Sequence, residues 1–357
     1  MARVPLKWMQ GQLRANSLYL IVALIVFGAV VFVLFRGSSP GPSEAATGGT
    51  VRDVNSVSDS GQAAPAPTEM QPQPQPAPPG PVAGQPPAGS GSPVAVPAAQ
   101  AQPNPEVAAI QAEAAALLKS QPGRLIEVRD KLNSALKMPM SAQQLQTVKE
   151  QLSKAADDWL FGPAVFAGDT LCDTYTVKPG DLLQVIGRRH KVPHEILMQI
   201  NSISRPESLQ AGRTIKVING PFHAKVYRSA FTLDLYLQDT FVRSFKVGLG
   251  APGTETPTGL WRVKESGKLI QPPWYDKRTN RTYRATDPDY PLGSRWIALE
   301  GMEGEAKGQT GFAIHGTKAP DQIGTAASQG CIRMYNGEAV LTYNAMFPVY
   351  SKVEILP

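Results

Sequence analysis

The sequence predicts a multidomain chain that ends in a mainly-β domain. Ahead of that domain come a small α+β module of order strand, helix, helix, strand, a short α-helical segment and an N-terminal transmembrane helix. Three observations carry this reading: apolar residues alternate with period two from Phe222 onward, recur with helical period between Pro105 and Trp159, and form one uncharged run over residues 18–35. The 357 residues are enough for two or three domains, but the 33 prolines, densest before Pro105, keep much of the first third out of any core.

As a helix, residues 18–35 would rise about 27 Å, close to the ~30 Å of a bilayer core. Signal-peptide apolar regions are usually about 7 to 15 residues long, and no small-X-small cleavage site follows at once, so an uncleaved anchor is expected. Arg3, Lys7 and Arg14 precede the run and only Arg36 follows closely, which places residues 1–17 in the cytoplasm. Everything downstream is then exported, a single-pass inner-membrane protein with its folded part in the periplasm. Residues 38–105 are rich in Pro, Ala, Gly, Gln and Ser, as in Gln71-Pro72-Gln73-Pro74, and cannot bury enough surface to offset chain entropy. They read as a disordered linker, reaching roughly 45 Å as a coil and at most about 200 Å as polyproline II.

Residues 106–160 read as three short helices. Leu125, Val128, Leu132 and Leu136 mark one stripe and Leu145, Val148, Leu152 and Trp159 another, with breaks at Gln121-Pro122-Gly123 and Met138-Pro139-Met140. Ser141 is placed to cap the third helix. The stripes are expected to be core, a surface for an envelope protein partner being the lesser alternative.

Residues 174–218 begin Tyr175-Thr176-Val177-Lys178-Pro179-Gly180-Asp181, pass through two short helices and Asn201, and end Leu209-Gln210-Ala211-Gly212-Arg213-Thr214-Ile215-Lys216-Val217. Asp181 is expected to cap the first helix, and Pro193 suits the first turn of the second. The pattern resembles the LysM module, and that resemblance implies binding of N-acetylglucosamine-containing glycans such as peptidoglycan. It makes Gly180, Asp181 and Asn201 candidate glycan contacts, beside the plainer reading of helix capping and turn geometry. Such a module would be a tether beside the last domain.

Over 222–357 the alternation predicts an antiparallel β-sandwich or a partly closed barrel. One late helix is expected from Gly337 to Phe347, with Asn336 as its cap and Glu338 near its positive end, and a last strand from Val349 to Leu356. Between Lys264 and Tyr290 a long polar stretch holds Trp274, Tyr275 and Tyr283 with Lys268, Lys277, Arg278 and Arg281. A connection of that length is often a lid or binding loop.

The chemistry-bearing residues are Ile314-His315-Gly316-Thr317 and Ser328-Gln329-Gly330-Cys331-Ile332-Arg333-Met334. A free thiol titrates near pH 8.5, so a nucleophilic cysteine needs a neighbour such as His315 and backbone donors for the oxyanion. The two segments resemble the signature of YkuD-type L,D-transpeptidases, as do Thr256-Pro257-Thr258-Gly259 and Tyr290-Pro291-Leu292-Gly293-Ser294-Arg295 upstream. The resemblance implies a YkuD-like catalytic domain acting on peptidoglycan stem peptides, forming 3-3 cross-links or attaching a protein to the wall. Cys331 would be the nucleophile and His315 the base. The Gly316 carbonyl would orient the imidazole, and the N–H groups of Gly330 and Cys331 would bind the oxyanion. Arg333, Ser328, Thr317 and Trp274 would serve the substrate, Trp274 from a flap over the site, with an internal salt bridge that holds the loop as the equal alternative for Arg333. Many members carry His before the Gly-Cys pair where this chain has Gln329, which cannot titrate.

No cofactor or metal is expected, because His190, His194, His223 and His315 give no ligand spacing with Cys331. Nucleic acid is not an expected partner either: the charge of +6 is scattered rather than clustered among aromatics. A Cys172–Cys331 disulfide would remove the nucleophile and is the chief rival at the residue level. At the level of function the rivals are an L,D-carboxypeptidase or endopeptidase, a non-catalytic LysM wall-binding protein, and a general cysteine protease.

Overall fold

The computed structural model describes residues 102–357 apart from Lys277 and Arg278, so the expected anchor at 18–35 and nearly all of the expected linker lie outside the described residues. Among the described residues no helix is long and apolar enough to cross a membrane.

The helical segment is α1 (Pro105–Ser120), α2 (Leu125–Ala135) and α3 (Ala142–Trp159). Proline sets both breaks, and Ser141 caps α3 in a reciprocal box with Gln144. Val148, Leu152, Ala155, Ala156 and Trp159 form one buried face of α3. Val128, Leu132, Val148 and Leu152 close on one another and on Phe241 of the last domain. The stripes therefore pack inside the chain, as core.

In the module, β1 (Cys172–Thr176) pairs antiparallel with β2 (Thr214–Ile218), with α4 (Leu183–Arg189) and α5 (His194–Ile200) between. Asp181 does not cap α4, as the sequence suggested. Its carboxylate instead accepts from the Lys178 N–H at 2.8 Å and from the Tyr175 hydroxyl at 2.7 Å, closing the turn before the helix.

The last domain is built on one eight-stranded sheet of order β13-β11-β10-β7-β14-β3-β4-β5. Its strands are β3 (Phe222–Tyr227), β4 (Thr232–Leu237), β5 (Thr240–Lys246), β7 (Gly259–Leu269), β10 (Trp296–Glu303), β11 (Phe312–His315), β13 (Ile332–Arg333) and β14 (Lys352–Leu356). The expectation of a purely antiparallel domain is corrected: β14 with β3 and β11 with β13 run parallel. Both are crossovers that bring distant segments side by side, which period-two alternation cannot reveal. Gly248, just past β5, exchanges two backbone hydrogen bonds of 2.9 and 2.8 Å with Arg333 in β13, so the sheet curls toward partial closure. Edge strand β5 is covered by the helical segment, where Lys149 meets the fully buried Asp234 at 2.6 Å and Asn133 accepts from the Phe241 N–H. The late helix is α6 (Asn336–Ala345), shorter than expected at its C-terminus, and the last strand starts at Lys352 rather than Val349.

The module is docked rather than merely tethered. One apolar cluster runs from Trp159 through Leu183 and Ile196 into Trp261 and Val353. Buried Lys216 donates to the carbonyls of Trp159, Gly162 and Ala164, and Lys268 of β7 reaches Glu195 of α5 at 3.2 Å. Lys268 thus belongs to this junction, not to a lid. Deleting residues 174–218 is therefore expected to open the core, lowering the thermal midpoint and exposing apolar surface. Circular dichroism with dye binding checks this: a deletion variant melting like the parent would show the module to be independent.

Candidate active site

Parallel pairing of β11 and β13 sets Ile314 opposite Ile332 and His315 opposite Arg333. Both isoleucines point into the core. Strand alternation then turns Ala313, His315 and Arg333 to the other face, toward which Cys331 leads β13. Cys331 is half-buried, its Sγ resting against β11, 3.9 Å from the Gly311 carbonyl and in reach of the Ala313 N–H. Nucleophile and base candidates thus share one surface, although 16 positions separate them in the sequence.

His315 is 4% exposed, and its Nδ1 lies 2.6 Å from the Gly316 carbonyl. A carbonyl only accepts, so Nδ1 carries the proton and the neutral ring has its lone pair on Nε2. The ring lies nearly parallel to Trp296, its cross-strand neighbour, with centroids 5.5 Å apart and planes at 21°. Burial pushes the imidazole down to about 4 and Arg333 adds to this, while the Gly316 and Leu292 carbonyls oppose it. Burial also pushes the Cys331 thiol up, against the pull of the Ala313 N–H and the Arg333 guanidinium. At neutral pH the resting pair is therefore neutral thiol and neutral imidazole.

The loop between them is clamped. Gly330 has φ +101°, and a Cβ there would come within 2.6 Å of the Phe312 ring. Its N–H donates to Ser328 Oγ at 3.1 Å, Ser328 Oγ donates to the Cys331 carbonyl at 2.6 Å, and the Gly330 carbonyl accepts from buried Thr256 at 2.9 Å. Of the two N–H groups expected to bind an oxyanion, that of Gly330 thus already has a partner within the loop. Ser328 is likewise buried and committed to the loop rather than offered to substrate.

Thr317 is also buried, and its hydroxyl accepts from the Ala319 N–H. Asn336 opens α6 as its first residue instead of capping it. Its side chain accepts from the Ser294 N–H and donates to the Thr317 carbonyl, both at 2.9 Å. It leaves no room for a Cβ at Gly316, which would meet Asn336 Oδ1 at 2.2 Å. Glycine at 316 thus lets Asn336 pull the His-Gly-Thr turn tight.

Arg333 bonds the Gln322 side chain, and among the described residues it has no carboxylate partner. The alternative for Arg333, an internal salt bridge, is absent among those residues, leaving its charge beside Cys331. Trp274 lies in a hairpin of β8 (Trp274–Asp276) and β9 (Arg281–Tyr283), stacked on Tyr283 at 5.8 Å. The Tyr290 hydroxyl closes the hairpin's base on the Pro272 carbonyl. Because β7 continues to Leu269, the excursion is shorter than the sequence suggested.

Of the glycan candidates, exposed Gly180 takes φ +84° in an open turn. Asn201 is fully engaged within the module, bonding the Lys216 N–H, the Lys216 carbonyl and the Leu197 carbonyl, so its side chain is a clamp and not a free sugar contact. Cys172 and Cys331 are both free, which removes the disulfide rival. Cys172 is buried, with its thiol pushed up to about 12 by that burial, and is inert by comparison.

Trp296 and Thr256 were not singled out by sequence reasoning. Trp296 follows the Tyr290-to-Arg295 motif directly, and Thr256 stands inside the Thr256-to-Gly259 motif, where sequence alone assigns it no role of its own. Gly330→Ala is expected to cost about 1–3 kcal/mol and to displace Cys331, lowering both thermal midpoint and turnover. A melting curve and rate equal to the parent's would contradict the clamp.

The family model of the L,D-transpeptidase catalytic domain matches residues 221–355, and that of the LysM domain matches residues 175–217. A Bacillus subtilis protein named as L,D-transpeptidase YkuD is 31% identical over 47% of this chain and 89% of its own length. Its Bacillus licheniformis counterpart is 29% identical over 51% of this chain and 98% of its own length. Among solved structures, L,D-transpeptidase 3 from Mycobacterium tuberculosis is 14% identical with a TM-score of 0.31, and the alignment covers 41% of this chain and 66% of that one. That likeness is too loose to carry an argument.

Proposed function

Because this chain belongs to the YkuD family of L,D-transpeptidases, we propose that it transfers acyl groups between peptidoglycan stem peptides through a thioester on Cys331. The observation that carries this reading is the parallel register of β11 and β13, which gives the thiol, the imidazole and an uncompensated guanidinium one common surface. The Nε2 of His315 takes the proton from Sγ as sulfur attacks the carbonyl carbon of the donor's third residue. The oxyanion forms beside the Cys331 N–H, and the proton passes to the departing D-alanine amine as the C–N bond breaks. An acceptor amine then attacks the thioester, gives its proton to His315, and the sulfur leaves to recover the thiol. Arg333 is suited to hold a stem carboxylate.

The LysM module and the catalytic domain both point to peptidoglycan as the partner. In this reading the apolar run at 18–35 anchors the chain in the inner membrane, with the catalytic domain in the periplasm and the 38–105 linker spanning the distance to the wall. Incubating the full chain with stem tetrapeptides and an amine acceptor, followed by mass spectrometry, tests the reaction. Joined stems of mass donor plus acceptor less D-alanine are expected. Tripeptide alone would indicate hydrolysis, and unchanged substrate would overturn the proposal.

A further inference from the structure

We propose that a second cleft, between the helical segment and the outer face of the sheet, binds the carboxylates of a stem peptide, a partner class that rests on the peptidoglycan reading above. The cleft holds about 540 Å³, within the usual range for ligand sites, and lies at the kind of domain junction where such sites concentrate. Its floor is built by register. Lys352 of β14 stands beside His223 of β3, which is opposite Tyr236 of β4, and one row over Glu354 pairs with Lys225. Lys137, at the end of α2, stands over them.

The lining is rich in donors and poor in free acceptors. Glu354 is engaged by Lys225 at 3.2 Å, whereas among the described residues neither Lys137 nor Lys352 has a carboxylate partner, and both are exposed. His223 Nδ1 accepts from the Lys352 N–H at 3.1 Å, so its proton sits on Nε2. Burial keeps the Tyr236 hydroxyl protonated, and it is hydrogen-bonded to Tyr227, so it shapes the floor rather than adding a donor. Asp239 at the rim is the one carboxylate of the lining outside the Lys225 pair, so cations outnumber free anions. The Cys331 mechanism uses none of these groups. Such a surface suits an anion with an extended, partly apolar body, and uncross-linked stems present such carboxylates in quantity.

The test uses the full chain and a soluble stem tetrapeptide that carries a photoreactive diazirine, with adducts mapped by mass spectrometry. Adducts are expected both near Cys331 and on residues 133–137 or 223–227. The second set should fall at least about tenfold when the peptide carboxylates are amidated, and likewise in the double variant Lys137→Glu, Lys352→Glu. Both lysines are exposed, so the variant should keep the parent's circular dichroism and its rate on small soluble stems. Adducts confined to the Cys331 loop, or equal labelling by the amidated peptide or of the double variant, would overturn the inference. Failure of the transfer reading looks different: no joined or trimmed stems from the parent, whatever the labelling.

Discussion

Replacing Cys331 with alanine is expected to reduce turnover by a factor on the order of 10⁴ or more while leaving the fold in place. Losing a nucleophile of this type removes the covalent path and leaves only what binding and oxyanion contacts can supply. The side chain is half-buried and small, and its sulfur makes only a long contact with the Gly311 carbonyl and a contact with the Ala313 N–H, so its removal opens little cavity. Thermal midpoint and near-ultraviolet circular dichroism should stay near the parent's. The matching control is Cys172→Ala, which sits in the module core and should keep activity while costing stability. Intact-mass spectrometry after addition of donor peptide should show the acyl adduct on the parent and on Cys172→Ala, and none on Cys331→Ala. An adduct that persists in Cys331→Ala would place the nucleophile elsewhere and overturn the mechanism.

What the sequence made legible was local. Proline breaks, the Ser141 cap and the period of apolar residues located three helices and several strands, though not the central β7 or β10, because each depends on a few neighbouring residues. The candidate pair, Cys331 and His315, was named from its motif. Non-local pairings were not: nothing local tells β14 to run parallel to β3, or the Gly330 N–H to be taken by Ser328 Oγ. Polar side chains misled in a consistent way. Asp181, Asn201 and Asn336 stood where a cap or ligand was plausible, and each proved to tie together segments the sequence keeps apart or to close its own turn. The docking of the module was invisible for the same reason. Lys216 reads as an ordinary strand lysine and Lys268 as part of a polar lid until their partners, Gly162 and Glu195, arrive from other segments of the chain.

His315→Gln is expected to lower the rate by at least about a hundredfold, the usual scale for a positioned base, and to reshape two pH profiles. Glutamine can still donate to the Gly316 carbonyl, so the turn should survive, but it cannot accept the thiol proton. With His315 held down to about 4 and the Cys331 thiol pushed up, the parent transfers its proton only as sulfur attacks, and its rate should rise as the pH climbs through about 4 and then stay level across the neutral range. The variant must wait for the thiol itself to ionise, so its rising limb should move to alkaline pH.

Stability follows the opposite end of the scale. The folded chain releases the His315 proton near 4, while the unfolded chain holds it up to about 6.5. Between those values the unfolded state binds more protons, so stability rises with pH across the window and falls as the pH drops through it, by a total on the order of 3 kcal/mol. Glu195, held down to about 2 from 4.5 by its His194 and Lys268 partners against the opposing effect of burial, contributes stability present above 4.5 and lost as pH falls toward 2. The windows scarcely overlap, so denaturant midpoints measured from pH 7 to pH 3 separate them. The variant should lose the upper slope and keep the lower one. An unchanged upper slope, or an unchanged rate and pH-rate profile, would remove His315 from the role assigned to it.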